Sequence, residues 1–403
     1  MIARGEQMLA CRRARLSASP AFLQGGFRPF FFLGASWAII ALILWIFTFS
    51  GDVALPSALD PMIWHRHEML FGYVGAIIAG FLLTAIPNWT DRPPIAGWPL
   101  GGFVGLWVAA RIAVLFSAWT GMLAAAMIDV GFYFLLTLFA TREVIATKNR
   151  NLPPVVFVFL MGVSNATDHL AAAQLIPDAE LGIRGGISVV VMLITLIGGR
   201  IIPAFTRNWM TKHGITLHLS TQPTHFDLAA SVMTAVALTG WIAAPTSLLA
   251  AGFLVAAGCA QAVRLSRWGG RRSVRDPLVL VLHIGYLWIP IGLLLLGASI
   301  FGTSVPRSAA IHALTAGAMA TMTLAVMTRV ILGHTGRELV ANRMTAMIYV
   351  LVTSGAVLRI GASVGVVGYT VGMKVAAGAW GGAFGLFLVA YGPTLFRPRL
   401  DGN

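Results

Sequence analysis

The chain has 403 residues, of which 58% are hydrophobic and 10% charged, with a mean hydropathy of +0.82. Soluble domains carry roughly 25% charged residues, so this composition excludes a soluble globular enzyme and assigns the net charge of +14 to loops beside a membrane rather than to nucleic-acid binding. Two cysteines, Cys11 in a basic tail and Cys259 inside an apolar run, exclude a disulfide framework and a thiolate metal site.

In chain order, a basic segment, 1–28, precedes twelve apolar runs at 29–49, 64–86, 100–117, 120–141, 152–173, 183–203, 226–244, 246–264, 277–300, 308–331, 344–364 and 371–392, and a short tail follows at 393–403. Each run is long enough to cross a bilayer core as a helix. The first is too long for a signal-peptide core and is read as a span. The predicted fold is therefore all-α and polytopic. With the N-terminus in the cytoplasm, 20 of the 28 Lys and Arg fall in cytoplasmic segments and 3 on the opposite side. This bias predicts a multi-pass protein of the cytoplasmic (inner) membrane with both termini inside.

A weak repeat runs through the spans. The second ends in Gly80–Thr90, the sixth in Gly198–Trp209 and the tenth in Met327–Arg337, at intervals of four spans, and His67 and His312 are each followed by glycine five residues on, at Gly72 and Gly317. Three four-helix units around a centre are expected, with the site where the repeats meet.

Ionisable side chains inside a membrane span mark function by default. The stretch Trp64-His65-Arg66-His67-Glu68 places four of them at the mouth of span 2. His67 and His312, at matching positions of two equivalent helices, are the candidate axial ligands of a haem, since helix bundles build such sites from facing helices. The alternative is a buried histidine hydrogen-bonded for structure alone. His65, two residues from His67, points to another face. Glu68 is read either as an acceptor for a ligand imidazole or as the partner of Arg66. Asp168, His169 and Asn165 in span 5 read as interhelical hydrogen-bonding groups. An inner group holds His283, Tyr286, Arg329 and His334, with Arg200 at similar depth. It could hold copper, or use Arg200 and Arg329 to anchor carboxylates such as haem propionates; snorkelling to the surface is the bland reading of both arginines. The loop histidines His213, His218 and His225 are expected to stay solvated. No Walker loop, HExxH or CxxCH occurs in the chain.

The segments WHRHEMLFGYVGAIIAGFLLTAIPNWT (64–90), GGRIIPAFTRNW (198–209), HIGYLWIP (283–290) and AIHALTAGAMATMTLAVMTRVILGHTGREL (310–339) resemble those of the NnrS family. The resemblance implies a bacterial membrane protein of nitric oxide metabolism that contains haem and copper. His65, His67, His283, His312 and His334 fall in these motifs, as do Arg200 and Arg329; the reading of these histidines as candidate metal ligands rests on their chemistry and not on the resemblance. A b-type haem, nitric oxide as small ligand, the lipid bilayer and an unidentified electron donor follow as expected cofactor and partners. A haem-dependent oxidoreductase acting on nitric oxide is one expectation, and a transporter or copper-delivery protein without haem is the other; an assembly partner without redox chemistry is a third. The arrangement is also similar, at the level of fold, to haem–copper oxidases, which have twelve helices in three arcs and haem ligands on helices 2 and 10.

Overall fold

In the computed structural model, residues 18–215 and 223–400 are described; Cys11 and His218 lie outside them. Regular structure among these residues is helical throughout, with twelve helices long and apolar enough to cross a membrane. We number them α1 (Phe27–Phe49), α2 (Pro61–Thr90), α3 (Trp98–Leu115), α4 (Met122–Ala146), α5 (Leu152–Ala172), α6 (Leu181–Lys212), α7 (His225–Ala243), α8 (Leu248–Ser266), α9 (Pro277–Ile300), α10 (Arg307–His334), α11 (Arg343–Ser363) and α12 (Tyr369–Leu395). Every span expected from hydropathy is present, displaced by a few residues at most except at the C-terminal end of α6.

The boundaries follow from local chemistry. Asp60 caps α2 by accepting from Met62 N–H at 2.9 Å, and Asp276 does the same for Leu278 in α9; each is followed by proline at the first helical position. Thr224 and Asp227 form a reciprocal capping box at the start of α7. The turn between α3 and α4 is made by Ser117–Thr120 and by Gly121, whose φ of +85° suits a residue without Cβ.

α2, α6 and α10 share a feature that hydropathy does not reveal. Each contains a π-helical stretch, at Glu68–Val74, Ile194–Gly198 and Ala313–Met319. Such bulges break the regular i→i−4 ladder and recur at functional sites. In α2 and α10 the stretch is seven residues long and begins immediately after His67 or His312. These two helices are thus alike in conformation at the matching positions the sequence repeat picks out.

The chain divides into two compact units. The first comprises residues up to Gly186 with Val330–Glu338 and Leu388 onward; the second comprises Ile187–Arg329 with Leu339–Phe387. Within the first, α1 packs on α2, and α4 packs on both α3 and α5. Within the second, α7, α8, α9, α10 and α11 pack each on the next, as connections of a few residues favour. Three cations counted with the loops, Arg28, Arg184 and Arg264, are buried at 3%, 2% and 3% exposure. Arg28 donates to the carbonyls of Leu395 and Arg397 at 2.9 and 2.7 Å, which ties α1 to the end of α12 within the first unit.

Candidate metal and cofactor sites

The first unit holds a buried polar cluster contributed by α1 to α5. His67 and Glu68 come from α2, Arg111 from α3, Asp129 from α4, and Asn165, Asp168 and His169 from α5; all are less than 10% exposed. Charges removed from water need partners, and here they find each other. Arg111 donates to both oxygens of Glu68 at 2.8 Å and also pairs with Asp129. Trp37 Nε1 of α1 donates to Glu68 Oε2 at 2.6 Å. Glu68 is therefore the partner of Arg111, not of Arg66 as the adjacent sequence suggests. Arg66, 22% exposed, instead faces Asp168 at 3.6 Å and donates to the Ala179 carbonyl at 2.6 Å.

His67 bridges two acids. Its Nδ1 lies 2.8 Å from Asp168 Oδ2 and its Nε2 2.9 Å from Asp129 Oδ2. His169 Nε2 approaches the same Asp129 oxygen at 3.1 Å, and Asn165 donates to it at 2.8 Å. The α5 residues thus act between helices, as expected, and they converge on the histidine of α2. One nitrogen of His67, one of His169 and one oxygen of Asp129 lie within 4.8 Å of one another. Both ring nitrogens of His67 thus face carboxylates.

The π-helical stretch shapes this cluster. Gly72 lies where a Cβ would meet Glu68 Oε2 at 2.6 Å, Trp37 Nε1 at 2.9 Å and Arg111 Nη1 at 3.0 Å. The glycine five residues after His67 is needed because the ion pair occupies that space. Side chains also satisfy carbonyls of the stretch: Tyr133 O–H donates to Phe71 at 2.5 Å and Trp107 N–H to Gly72 at 3.1 Å.

The second unit has its own buried network. Arg264 of α8 donates to Asp227 of α7 at 3.0 Å, to Tyr286 O–H of α9 at 3.0 Å and to the Thr195 carbonyl in the π stretch of α6 at 3.2 Å. Tyr286 donates to Gln261 at 2.7 Å, and Gln261 to Thr234 at 2.8 Å. One acid and one base close this network in charge.

His312 begins the π stretch of α10. Its Nδ1 lies 2.7 Å from the Ser308 carbonyl, and a carbonyl can only accept. The proton is therefore on Nδ1, leaving Nε2 as the lone-pair nitrogen, the tautomer that binds a metal. Nε2 of His312 would be the nitrogen offered to a metal. His65 stacks on Trp45, with ring centroids 4.6 Å apart. His283 Nε2 shares a hydrogen bond of 2.9 Å with Thr206. His334 lies beside Phe27, and Arg329 sits 3.8 Å over the Phe205 ring, while Arg200 is exposed. His283 and Arg329 make separate contacts in the second unit, and His334 belongs to the first. His213 is exposed and bonds the Trp209 carbonyl at 2.8 Å, and His225 is exposed.

Sequence reasoning missed Asp129, although it is the one acid in the apolar run 120–141 and so carried the signal of an intramembrane charge. It also missed Arg111 as the partner of that acid, and the pair Asp227–Arg264.

A family model described as NnrS protein matches residues 21–399. No functionally curated protein matches the chain.

Proposed function

The chain belongs to the NnrS family, and from that premise we propose that it is a haem-carrying protein of the bacterial cytoplasmic membrane that acts on nitric oxide in its tolerance or turnover. The observation that carries this reading is His312: a membrane-span imidazole whose Nδ1–H is held by the Ser308 carbonyl at 2.7 Å, with Nε2 available as a ligand. A hydrogen bond at the non-ligating nitrogen fixes the ring's orientation and raises the basicity of the other. A haem bound there would supply an iron able to take nitric oxide.

The chain's own part is to hold that ligand nitrogen in place. Ala309, Ala310, Ala313 and Leu314, which flank His312 on α10, are fully buried. The π stretch then brings Gly317 against the Trp288 ring of α9, where a Cβ would fall 2.7 Å from the indole. This close approach locks the helix segment that bears the histidine.

The test is a reduced-minus-oxidised spectrum of the detergent-purified protein. The parent should show haem bands. His312→Ala should lose most of them while keeping its helicity and elution volume, and His213→Ala should keep them. A parent without haem bands, or a His312→Ala variant with unchanged bands, overturns the reading.

A further inference from the structure

The cluster in the first unit needs something more than its own side chains. At neutral pH a carboxylate accepts and does not donate. A neutral His67 has one N–H for two carboxylates. If Nδ1–H faces Asp168 at 2.8 Å, the Nε2 lone pair faces an oxygen of Asp129 at 2.9 Å. Two lone pairs at that distance repel unless an electrophile, a second proton or a metal ion, lies against both.

The charges give the same answer. Three carboxylates, Glu68, Asp129 and Asp168, are met by two guanidinium groups, Arg111 and Arg66. With neutral imidazoles the cluster keeps one surplus negative charge inside an apolar bundle, a costly state. The Asp227–Arg264 pair of the second unit leaves no such surplus.

The crowding on one oxygen favours the metal ion. If protons alone filled the site, Asp129 Oδ2 would accept from His67, His169 and Asn165 together, three donors on a single carboxylate oxygen. A cation between the two Nε2 atoms and the oxygen replaces two of those donors. The separations of 2.9 and 3.1 Å are those spanned by pairs of bonds of about 2.0–2.2 Å meeting near a right angle.

We propose that His67, His169 and Asp129 bind a first-row transition-metal ion. Two imidazoles and one carboxylate meeting near right angles suit iron or copper. Asp168 is a positioning residue: it receives the second N–H of His67, the usual partnership for a metal-bound imidazole. Arg111 positions Asp129 through the oxygen that does not face the histidines. The site is separate from His312, which lies in the other unit, and its test does not depend on haem.

The experiment strips the detergent-purified chain with a chelator and titrates it with Cu(II) against a competitor chelator strong enough to outcompete single exposed histidines. The parent should take up one equivalent, with an electron paramagnetic resonance signal showing two coupled nitrogens. His169→Gln should weaken uptake more than tenfold and lose one coupled nitrogen. Asp168→Asn should keep both nitrogens and lose about 10–100-fold in affinity, an effect that a purely structural role would not produce. His312→Ala should bind copper as the parent does. No competed uptake in the parent, or equal uptake and spectra in His169→Gln and Asp168→Asn, overturns the proposal and leaves the cluster closed by protons.

Discussion

His67 Nε2 and Asp129 Oδ2 meet at 2.9 Å although α2 and α4 are separated by a whole span in sequence. Around that contact are one arginine shared by two acids, a second imidazole on the same oxygen and a glycine that leaves room for the ion pair. The first unit is organised about this point, and its stability should respond to any change there.

Removing Arg111 leaves Glu68 and Asp129 without their principal buried partner. Breaking a buried pair from one side costs about 3–5 kcal/mol. Arg111→Ala should therefore lower the apparent melting temperature in detergent by many degrees or prevent purification. Arg111→Lys should recover part of the loss, since it restores charge but cannot serve both acids as a planar fork. Thermal denaturation followed by circular dichroism checks both.

Gly72→Ala puts a methyl group within 2.6 Å of Glu68 Oε2. Overpacking of this kind costs about 1–3 kcal/mol. The same measurement should show a smaller loss than Arg111→Ala, and Gly102→Ala, where a Cβ meets nothing within 4 Å, should show none.

In the second unit, Tyr286→Phe removes the hydroxyl that links Arg264 to Gln261 but leaves the Arg264–Asp227 pair. It should cost about 1–3 kcal/mol, the penalty for leaving buried polar groups short of a partner. Arg264→Ala strands Asp227 and should cost more, about 3–5 kcal/mol. Equal losses in a denaturation series would show that the arginine is not the centre of this network.

The loop before α6 has a pH dependence. The Arg184 hydrogen bond holds the Asp178 carboxyl below its ordinary value, helped by the backbone N–H of Glu180 and Leu181. A depressed acid contributes its stability above the unfolded value of about 3.9 and loses it as pH falls through the folded value. Amide exchange of residues 174–181, corrected for intrinsic rates, should show extra protection at neutral pH that fades below about pH 4. Asp178→Asn should lack that extra protection at every pH.

Hydropathy made the twelve spans legible because a bilayer imposes its length directly on the sequence. The histidine and glycine spacing after His67 and His312 also carried meaning, since both positions open a π stretch. What could not be read was which charges pair. Arg66 and Glu68, two residues apart, look like partners, but residues at i and i+2 of a helix do not face each other, and Glu68 turns instead to Arg111 of α3. Arg264 looks like a loop charge because it stands at the edge of an apolar run, yet it is buried against Asp227. Asp129 is a single letter in a greasy segment, and its two histidines lie on helices that meet it only in three dimensions.

The most direct test of the central claim is to add nitric oxide to the reduced, purified protein and follow the haem Soret band. The account predicts a shift that saturates at one nitric oxide per haem in the parent and is lost together with the haem in His312→Ala. A protein that carries no haem, or whose Soret band does not move with excess nitric oxide, would contradict it.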